Sequence, residues 1–305
     1  MALARTAEEL GYHRFWVSEH HSVPGVAGSA PAVLAAAVAG ATDRIRVGTG
    51  GVMLPNHQPL VVAEQFGVLE SLFPGRIDMG LGRSVGFTNG IRRALGRDTG
   101  DADRFEEQLT ELLGWLDGTQ QAHPEVHARP AEGLRIPAYV LATGEGAAIA
   151  ARAGLPLVVG DLRSRDRVIG IVERYREEFR PSAAGTDPYV VVSGTVAVAA
   201  TAEEARRILL PEAWSLAYSR TRGNFPPLRT AEEVEALEMS PKERDLYEGA
   251  LTGHIHGTEE QVAAELFRVA EQTGADELLV TTSTYDRAAL LDSYARLARI
   301  TGLRP

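Results

Sequence analysis

The segment Arg44–Ser84, RIRVGTGGVMLPNHQPLVVAEQFGVLESLFPGRIDMGLGRS, contains the pattern that decides the fold. Two β-rich runs, Arg46–Val52 and Ile77–Leu81, flank a segment whose large apolar residues recur at helical spacing. Pro74 and Gly75 end that helix immediately before the second run. The segment therefore predicts a strand, a helix and a second strand in succession, which is the unit from which parallel sheets are built.

The same alternation of β-rich runs and helices continues along the whole chain of 305 residues. Most runs are continuously apolar, which is typical of parallel strands covered on both faces. Because the seven runs are spread along the chain without a linker, they predict one α/β domain, residues 1–305. A (β/α)8 barrel is favoured over a doubly wound sheet. The other five strand candidates are Phe15–Ser18, Ala138–Ala142, Leu157–Gly160, Tyr189–Ala199 and Glu277–Thr282.

Two segments depart from a regular barrel. The chain begins in a helix, in which Leu3, Ala7 and Leu10 share a face, whereas this kind of barrel begins with a strand. We therefore expect the first strand to be missing, either because Met1 is an internal start or because the N-terminus is trimmed. Its absence leaves two strand edges without a partner. The long polar stretch Ser219–Gly253 is predicted to be structureless, as lids and disordered insertions are.

The composition excludes several classes of protein. With 31 basic and 41 acidic residues the formal charge is −10, which argues against nonspecific binding to nucleic acid. The chain has no cysteine, so thiolate nucleophiles, zinc–thiolate sites and Cys-ligated iron–sulfur clusters are excluded. The longest apolar run, Ala30–Ala41, is too short to cross a bilayer. We expect a soluble cytoplasmic protein that does not associate with membranes.

In a barrel, functional residues lie where strands end and loops begin. The run that starts at Phe15 ends in Ser18-Glu19-His20-His21. The adjacent histidines are either surface loop residues or general acid/base groups, since histidine titrates near neutral pH. The pair Gly50-Gly51, late in the next strand, either relieves crowding or lets a flat ligand lie on the backbone.

Two later strand ends carry groups suited to an anion. The Gly80-Leu81-Gly82 triplet lacks the rest of a dinucleotide fingerprint, and Arg83 after it either binds a phosphate or makes a surface ion pair. The segment 143–147, TGEGA, begins a helix and is either a simple N-cap or an anion site. We interpret His57 as a loop residue. Since His254-x-His256 lies on no confident strand, we predict no metal site.

Taken together, three segments resemble the bacterial-luciferase-like superfamily of flavin-dependent monooxygenases: residues 11–21 (GYHRFWVSEHH), Arg44–Ser84, and residues 256–280 (HGTEEQVAAELFRVAEQTGADELLV). Within it, the chain is most similar to the subgroup of aromatic polyketide biosynthesis. The resemblance implies a (β/α)8 barrel, commonly a homodimer, that binds reduced FMN supplied by a separate NAD(P)H:flavin reductase. It also implies a reaction with O2, through a C4a-peroxyflavin, that hydroxylates or epoxidises a small organic substrate, possibly a polyketide.

The resemblance also assigns roles near the flavin ring. His20 and His21 correspond to the family's paired histidines, the first of them the acid/base that assists the oxygen chemistry. Gly50 and Gly51 correspond to the dipeptide on which the ring rests, often joined by a cis peptide bond. Gly82 stands where true luciferases carry a cysteine, which argues against light emission.

Further roles concern the phosphate and the lid. Arg83 corresponds to the arginine that binds the cofactor phosphate, while Thr143 and Gly146 fall where the family uses a hydroxyl and helix N–H groups. Gly146 lacks the hydroxyl often found there, so backbone groups would hold more of the phosphate. The stretch at about 219–253 corresponds to the mobile loop over the active site.

Two other functions remain open on the same barrel. One is hydride transfer with a deazaflavin (F420), which requires no O2. The other is a non-catalytic flavin-binding partner subunit, against which the His20-His21 pair argues.

Overall fold

The computed structural model describes residues 1–160 and 162–304 and contains a curled sheet whose strands all pair in parallel. Most of the strands are short and largely buried, as the continuously apolar runs predict. The nine strands are β1 Arg14–Val17, β2 Arg46–Thr49, β3 Val52–Met53, β4 Ile77–Gly82, β5 Ala138–Leu141, β6 Leu157–Val159, β7 Val190–Val198, β8 Ile255–Gly257 and β9 Glu277–Thr281.

Twelve α-helices are found in the described residues, most of them between successive strands. Capping boxes begin α8 and α11 at Thr201 and Thr258, and Gly274, with a left-handed backbone, ends α11. None of the helices is long and apolar enough to cross a membrane. They are α1 Ala2–Glu9, α2 Pro31–Ala39, α3 Pro59–Leu72, α4 Asn89–Ala94, α5 Phe105–Asp117, α6 Gly146–Ala153, α7 Arg165–Glu178, α8 Ala202–Arg222, α9 Ala231–Glu235, α10 Pro241–Leu251, α11 Glu259–Thr273 and α12 Arg287–Ile300.

The sheet is open on one side. The strands follow the order β1-β2-β4-β5-β6-β7, and β9 pairs with β7 at the end of this order. At the other end, β1 pairs with β2 and with no other strand of the described residues. The edges of β1 and β9 line an apolar slot of about 540 Å³ that α1 and α12 also border. The structure is therefore an α/β barrel that lacks one strand, as the sequence predicts.

A buried group of charged side chains connects the two edges of the open sheet. Arg14 on β1 donates to Asp78 on β4 and to Glu277 on β9, both at 2.7 Å. Arg46 on β2 also donates to Asp78, at 2.6 Å, and the Asp78 side chain is fully buried. The Arg14 guanidinium contacts side chains of three strands: Asp78 on β4, Tyr139 on β5 and Glu277 on β9. It therefore connects β1 to β9, although these two strands form no backbone hydrogen bonds with each other in the described residues.

Replacing Asp78 should be costly, because it would leave two arginines facing one another without their carboxylate. We expect Asp78→Asn to lower the free energy of unfolding by about 3–5 kcal/mol, as for other broken buried ion pairs. Urea unfolding of purified protein measures this. Asp117→Asn, an exposed carboxylate at the end of α5, is the control and should change stability by about 0.5 kcal/mol or less. Equal effects of the two changes would contradict the role given to Asp78.

The structure corrects the predicted strands in two places. The run Arg46–Val52 is not one strand, because a cis peptide bond between Gly50 and Gly51 separates β2 from β3. The short strand β8, which contains His256, was not predicted, because a strand of this length has too few residues to reveal a period. It pairs with the end of β7.

The prediction of a structureless stretch over Ser219–Gly253 is wrong. The first residues complete α8, and α9 and α10 occupy much of the rest. Both short helices begin with a cap, in which Thr230 and Ser240 accept the N–H groups of Glu233 and Glu243. Few apolar residues remain in this stretch, but Val234, Tyr247, Ala250 and Leu251 are buried in a second core against α8.

Candidate active site

A cavity of about 840 Å³ lies where the strands of the sheet end. His20 follows β1, Gly160 follows β6 and Thr281 ends β9, so the wall comes from strands far apart in sequence. The other side of the cavity includes Glu212 of α8, Phe225 and Pro226 of the stretch 219–253, and His254 directly after that stretch. This is the end of a parallel barrel at which ligands bind.

His20 lies at the open side of this cavity. Its backbone N–H donates to the Gly28 carbonyl at 2.9 Å, and its side chain is accessible from the cavity mouth. The surrounding chain removes water from the ring and so lowers the pKa of His20, while the Glu19 carboxylate opposes the shift. The imidazole is therefore neutral at neutral pH and can either accept or donate a proton.

Glu19, between β1 and His20, makes hydrogen bonds to four other residues of the site. Its side chain is fully buried and accepts the backbone N–H of Met53 at 2.8 Å and the Asn56 amide at 3.1 Å. It also contacts Nε2 of His21 at 2.8 Å and Nε2 of His57 at 3.0 Å. Burial raises the pKa of Glu19, but these hydrogen bonds outweigh it and the pKa is lowered overall.

The Glu19 contacts separate the two adjacent histidines. His20 lines the large cavity, whereas the ring of His21 is held against Glu19 and does not border that cavity. His57 has the loop backbone that the sequence predicts, yet its ring is also part of the Glu19 group. The sequence indicates the Glu19–His21 contact, because Glu19 lies directly before two histidines and a buried carboxylate pairs with a donor.

Glu19 should contribute to stability in a pH-dependent way, because its folded-state pKa is lowered. The contribution is present at neutral pH and is lost as pH falls through the lowered pKa, below 4.5. We expect Glu19→Gln to lower the free energy of unfolding at pH 7 by about 1.5–3 kcal/mol, and the difference from wild type to shrink in acid. Urea unfolding at pH 7 and at a pH below 4.5 measures this difference, with Glu9→Gln on the exposed face of α1 as the control. A difference that stays constant with pH would contradict the argument.

The glycines at the end of β2 serve two purposes. A Cβ on Gly51 would lie 2.8 Å from the Gly80 carbonyl oxygen, so this glycine allows β3 to approach β4. Gly50 instead contacts Trp16 and lines the cavities on either side of it. The crowding interpretation therefore holds for Gly51, and the flat-ligand interpretation stays a prediction for Gly50. Gly82 pairs within the sheet with Met53 and Leu141 and borders none of the cavities described here.

The residues predicted to bind an anion lie together in a smaller cavity of about 430 Å³. Arg83 after β4, and Thr143 and Gly146 after β5, meet there because β4 and β5 are adjacent and end at the same level. Arg83 donates to Glu145 at 3.1 Å and to Asp103 at 3.3 Å. Nothing in the sequence spacing connects Glu145 or Asp103 to Arg83, so these two ion pairs are seen only in the structure.

Arg167, at the start of α7, is a further cation that sequence reasoning missed. It lines the same small cavity, and its Nη2 donates to the Thr143 carbonyl at 2.8 Å. Arg167 lies in a helix rich in charged residues, so the sequence pattern suggested only a solvated face.

The two cavities adjoin. Gly160, Ser193 and Thr281 line both of them, so the cavity that contains Arg83 lies beside the cavity that contains His20, and we call the two together the trough. Within the described residues no group of three or more His, Asp or Glu side chains is placed to hold a metal ion. The polar end, the glycine floor and the histidine suit a long ligand with an anionic terminus.

Comparisons with known proteins agree with this arrangement. Residues 1–298 match the family model of luciferase-like monooxygenases. The chain is 36% identical over 298 residues to a luciferase-like monooxygenase of Escherichia coli K12, covering 96% of this chain and 87% of the relative. It is 34% identical over 287 residues to the N-acetyl-S-alkylcysteine monooxygenase of Bacillus subtilis, covering 92% of this chain and 85% of that protein.

A solved structure is similar over the whole chain. The crystal structure of apo-MsnO8 superposes with a TM-score of 0.89 at 31% identity, covering 100% of this chain and 92% of the MsnO8 chain. The match of the family model, the identities to these relatives and this superposition agree with the barrel topology. The chain therefore belongs to the luciferase-like monooxygenase family of enzymes.

Proposed function

We propose that this enzyme is the oxygenase of a two-component, flavin-dependent monooxygenase, which uses reduced FMN and O2 to oxygenate a small organic substrate. A separate NAD(P)H:flavin reductase would supply the reduced FMN. The observation that carries the proposal is the trough that joins the cation Arg83 to the neutral imidazole of His20 across the Gly50 backbone.

The residues of the trough fit FMN. Arg83, the Thr143 hydroxyl and the N-terminus of α6 at Gly146 suit a phosphate, because a guanidinium and free helix N–H groups both favour an anion. The backbone of Gly50, which carries no side chain, borders the small cavity at the place where the flat ring would lie. Bound reduced FMN would supply the electrons that activate O2, and the protein supplies placement, proton transfer and shelter from water.

His20 is the proposed proton-transferring residue. Its imidazole borders the large cavity and is neutral, so it can hold a proton or remove one beside the reacting atoms. His21 is proposed to act indirectly, because its ring is bound to Glu19 and holds the loop that carries His20. Glu19 in turn is a positioning residue.

The wall formed by 219–253 is proposed to be a lid. Phe225, Pro226 and Leu228 present an apolar surface to the large cavity, which is open in this structure. Movement of this wall toward His20 would exclude water from the reaction, as lids do in other enzymes. The substrate would occupy the space between the lid and the flavin ring; an aromatic polyketide is the proposed class.

Removing the His20 imidazole should abolish proton transfer without weakening cofactor binding. We expect His20→Ala to bind FMN with unchanged affinity and to react with O2 at a rate about 10²-fold or more below wild type, measured on reduced-FMN-loaded enzyme by stopped-flow spectroscopy. His13→Ala, on the loop before β1, is the control and should leave the rate unchanged.

A rate for His20→Ala within about threefold of wild type would overturn the acid/base role. The same experiment tests the cofactor. Turnover with reduced F420 in the absence of O2, and none with reduced FMN, would replace the oxygenase by a hydride-transferring enzyme. Flavin binding without turnover under any condition would indicate the non-catalytic partner subunit.

We further propose that the enzyme is a homodimer formed through α2 and α3. Val33 on α2 and Val61, Val68 and Leu72 on α3 are exposed, Leu72 to 63%. Val61, Val68 and Leu72 recur at helical spacing, so they form one apolar stripe, and a two-fold axis would place this stripe against its own copy.

The stripe predicts a charge-sensitive dimer. We expect Val68→Glu/Leu72→Glu to be monomeric in sedimentation experiments at concentrations at which wild type is dimeric. Phe267→Glu, which charges an equally exposed apolar site on α11, should leave the dimer intact. If Phe267→Glu alone dissociates the protein, the interface lies on α11 instead.

A further inference from the structure

We propose that the phosphate end of the trough contains two arginines, Arg83 and Arg167, and that the Glu145 carboxylate occupies this end until a phosphate dianion displaces it. The inference rests on the proposed binding of FMN. It adds a cation and a competing anion to that site and defines the charge of the ligand that the site accepts.

The first observation is that Arg83 is already paired. Its two terminal nitrogens contact the carboxylates of Glu145 at 3.1 Å and Asp103 at 3.3 Å. Glu145 belongs to the loop that a phosphate at the start of α6 would contact, so its carboxylate stands where an anion would bind. Carboxylate and phosphate oxygens both accept from a guanidinium in the same geometry.

The second observation is that Arg167 flanks the same loop from the other side. It reaches over from α7, donates to the Thr143 carbonyl and borders the cavity that Arg83 also borders. Among the described residues Arg167 donates to this neutral carbonyl, whereas Arg83 contacts the two carboxylates. A ligand between Thr143 and Arg83 would therefore meet cations on two sides.

Charge determines what can enter. With Glu145 and Asp103 in place, two carboxylates contact Arg83, and their negative charges oppose the approach of a phosphate dianion. Both carboxylates are highly exposed, 88% and 80%, and ion pairs of this kind contribute at most about 1 kcal/mol. Glu145 can therefore turn into solvent at low cost, after which Arg83 and Arg167 both face the phosphate and the exposed Asp103 is the one carboxylate of this pair still on Arg83.

This arrangement selects for a phosphate monoester. A dianion offers enough charge to replace the carboxylate on Arg83 and still attract Arg167, whereas an uncharged ligand offers nothing to either arginine. Riboflavin has the ring of FMN without its phosphate, so the two compounds separate the phosphate contribution from the ring contribution. Inorganic phosphate tests the site without the ring.

The experiment is an equilibrium titration of full-length protein with oxidised FMN and with riboflavin, followed by flavin fluorescence, and a competition with inorganic phosphate. We expect Arg167→Gln to weaken FMN binding about tenfold or more and riboflavin binding by less than twofold. Glu145→Gln should tighten FMN binding about two- to fivefold and leave riboflavin unchanged. Inorganic phosphate should compete better with FMN in Glu145→Gln than in wild type.

Matched controls distinguish the site from general charge effects. Arg174→Gln removes an exposed arginine farther along α7, and Glu107→Gln removes an exposed glutamate of α5. Both should change FMN affinity by less than twofold. If Arg167→Gln behaves like Arg174→Gln, or if Glu145→Gln weakens FMN binding, the inference is wrong.

Arg83→Gln separates this inference from the proposed function. If Arg83→Gln leaves FMN affinity unchanged, or if FMN does not bind at all, the proposed flavin site itself fails. If Arg83→Gln weakens FMN binding while Arg167→Gln and Glu145→Gln do not differ from their controls, the flavin site stands and only the two-arginine, displaceable-carboxylate arrangement is refuted.

Discussion

The buried contact of Arg14 with Asp78 and Glu277 is the interaction on which the rest of the structure depends. A parallel barrel brings its strand ends into a ring only if the sheet closes, yet here the edges of β1 and β9 have no backbone hydrogen bonds to one another in the described residues. Arg14 supplies a side-chain connection instead, at 2.7 Å to a carboxylate on each side. The side-chain contact thereby holds β1, which His20 follows, close to β9, which ends at Thr281.

In the candidate site, too, one buried charged side chain connects separate parts of the chain. Glu19 is buried, and a buried carboxylate must be satisfied by donors, so it gathers Met53, Asn56, His21 and His57 around itself. The loop after β1 is consequently attached to the segment after β3. His20, next along the chain, is the neighbour that this attachment leaves facing the cavity, and this position makes it the proposed catalytic group.

The two ends of the trough differ in polarity for a physical reason. At the His20 end the wall includes apolar side chains such as Leu162, Phe225 and Leu228 and the imidazole is neutral, which suits a reaction that must be shielded from water. At the Arg83 end the side chains are charged and exposed, so a phosphate can exchange with carboxylates at little cost. The proposed flavin would need both properties, since it would bind reversibly at one end and react at the other.

Much was determined by the sequence itself. Continuous apolar runs and capped helices specify parallel strands and their order, and the positions of His20, Gly50, Arg83 and Thr143 at strand ends follow from that order. Local patterns also account for the failure over Ser219–Gly253, where the caps of α9 and α10 were present but the few apolar residues gave no clear period. Only the tertiary structure decided that His20 faces the cavity while Glu19 binds His21 and His57. It also decided that Glu145 and Arg167 meet at the Arg83 end of the trough. These contacts join residues from separate loops and helices, and the distance between such residues is set by how the strands pack, which sequence spacing does not encode.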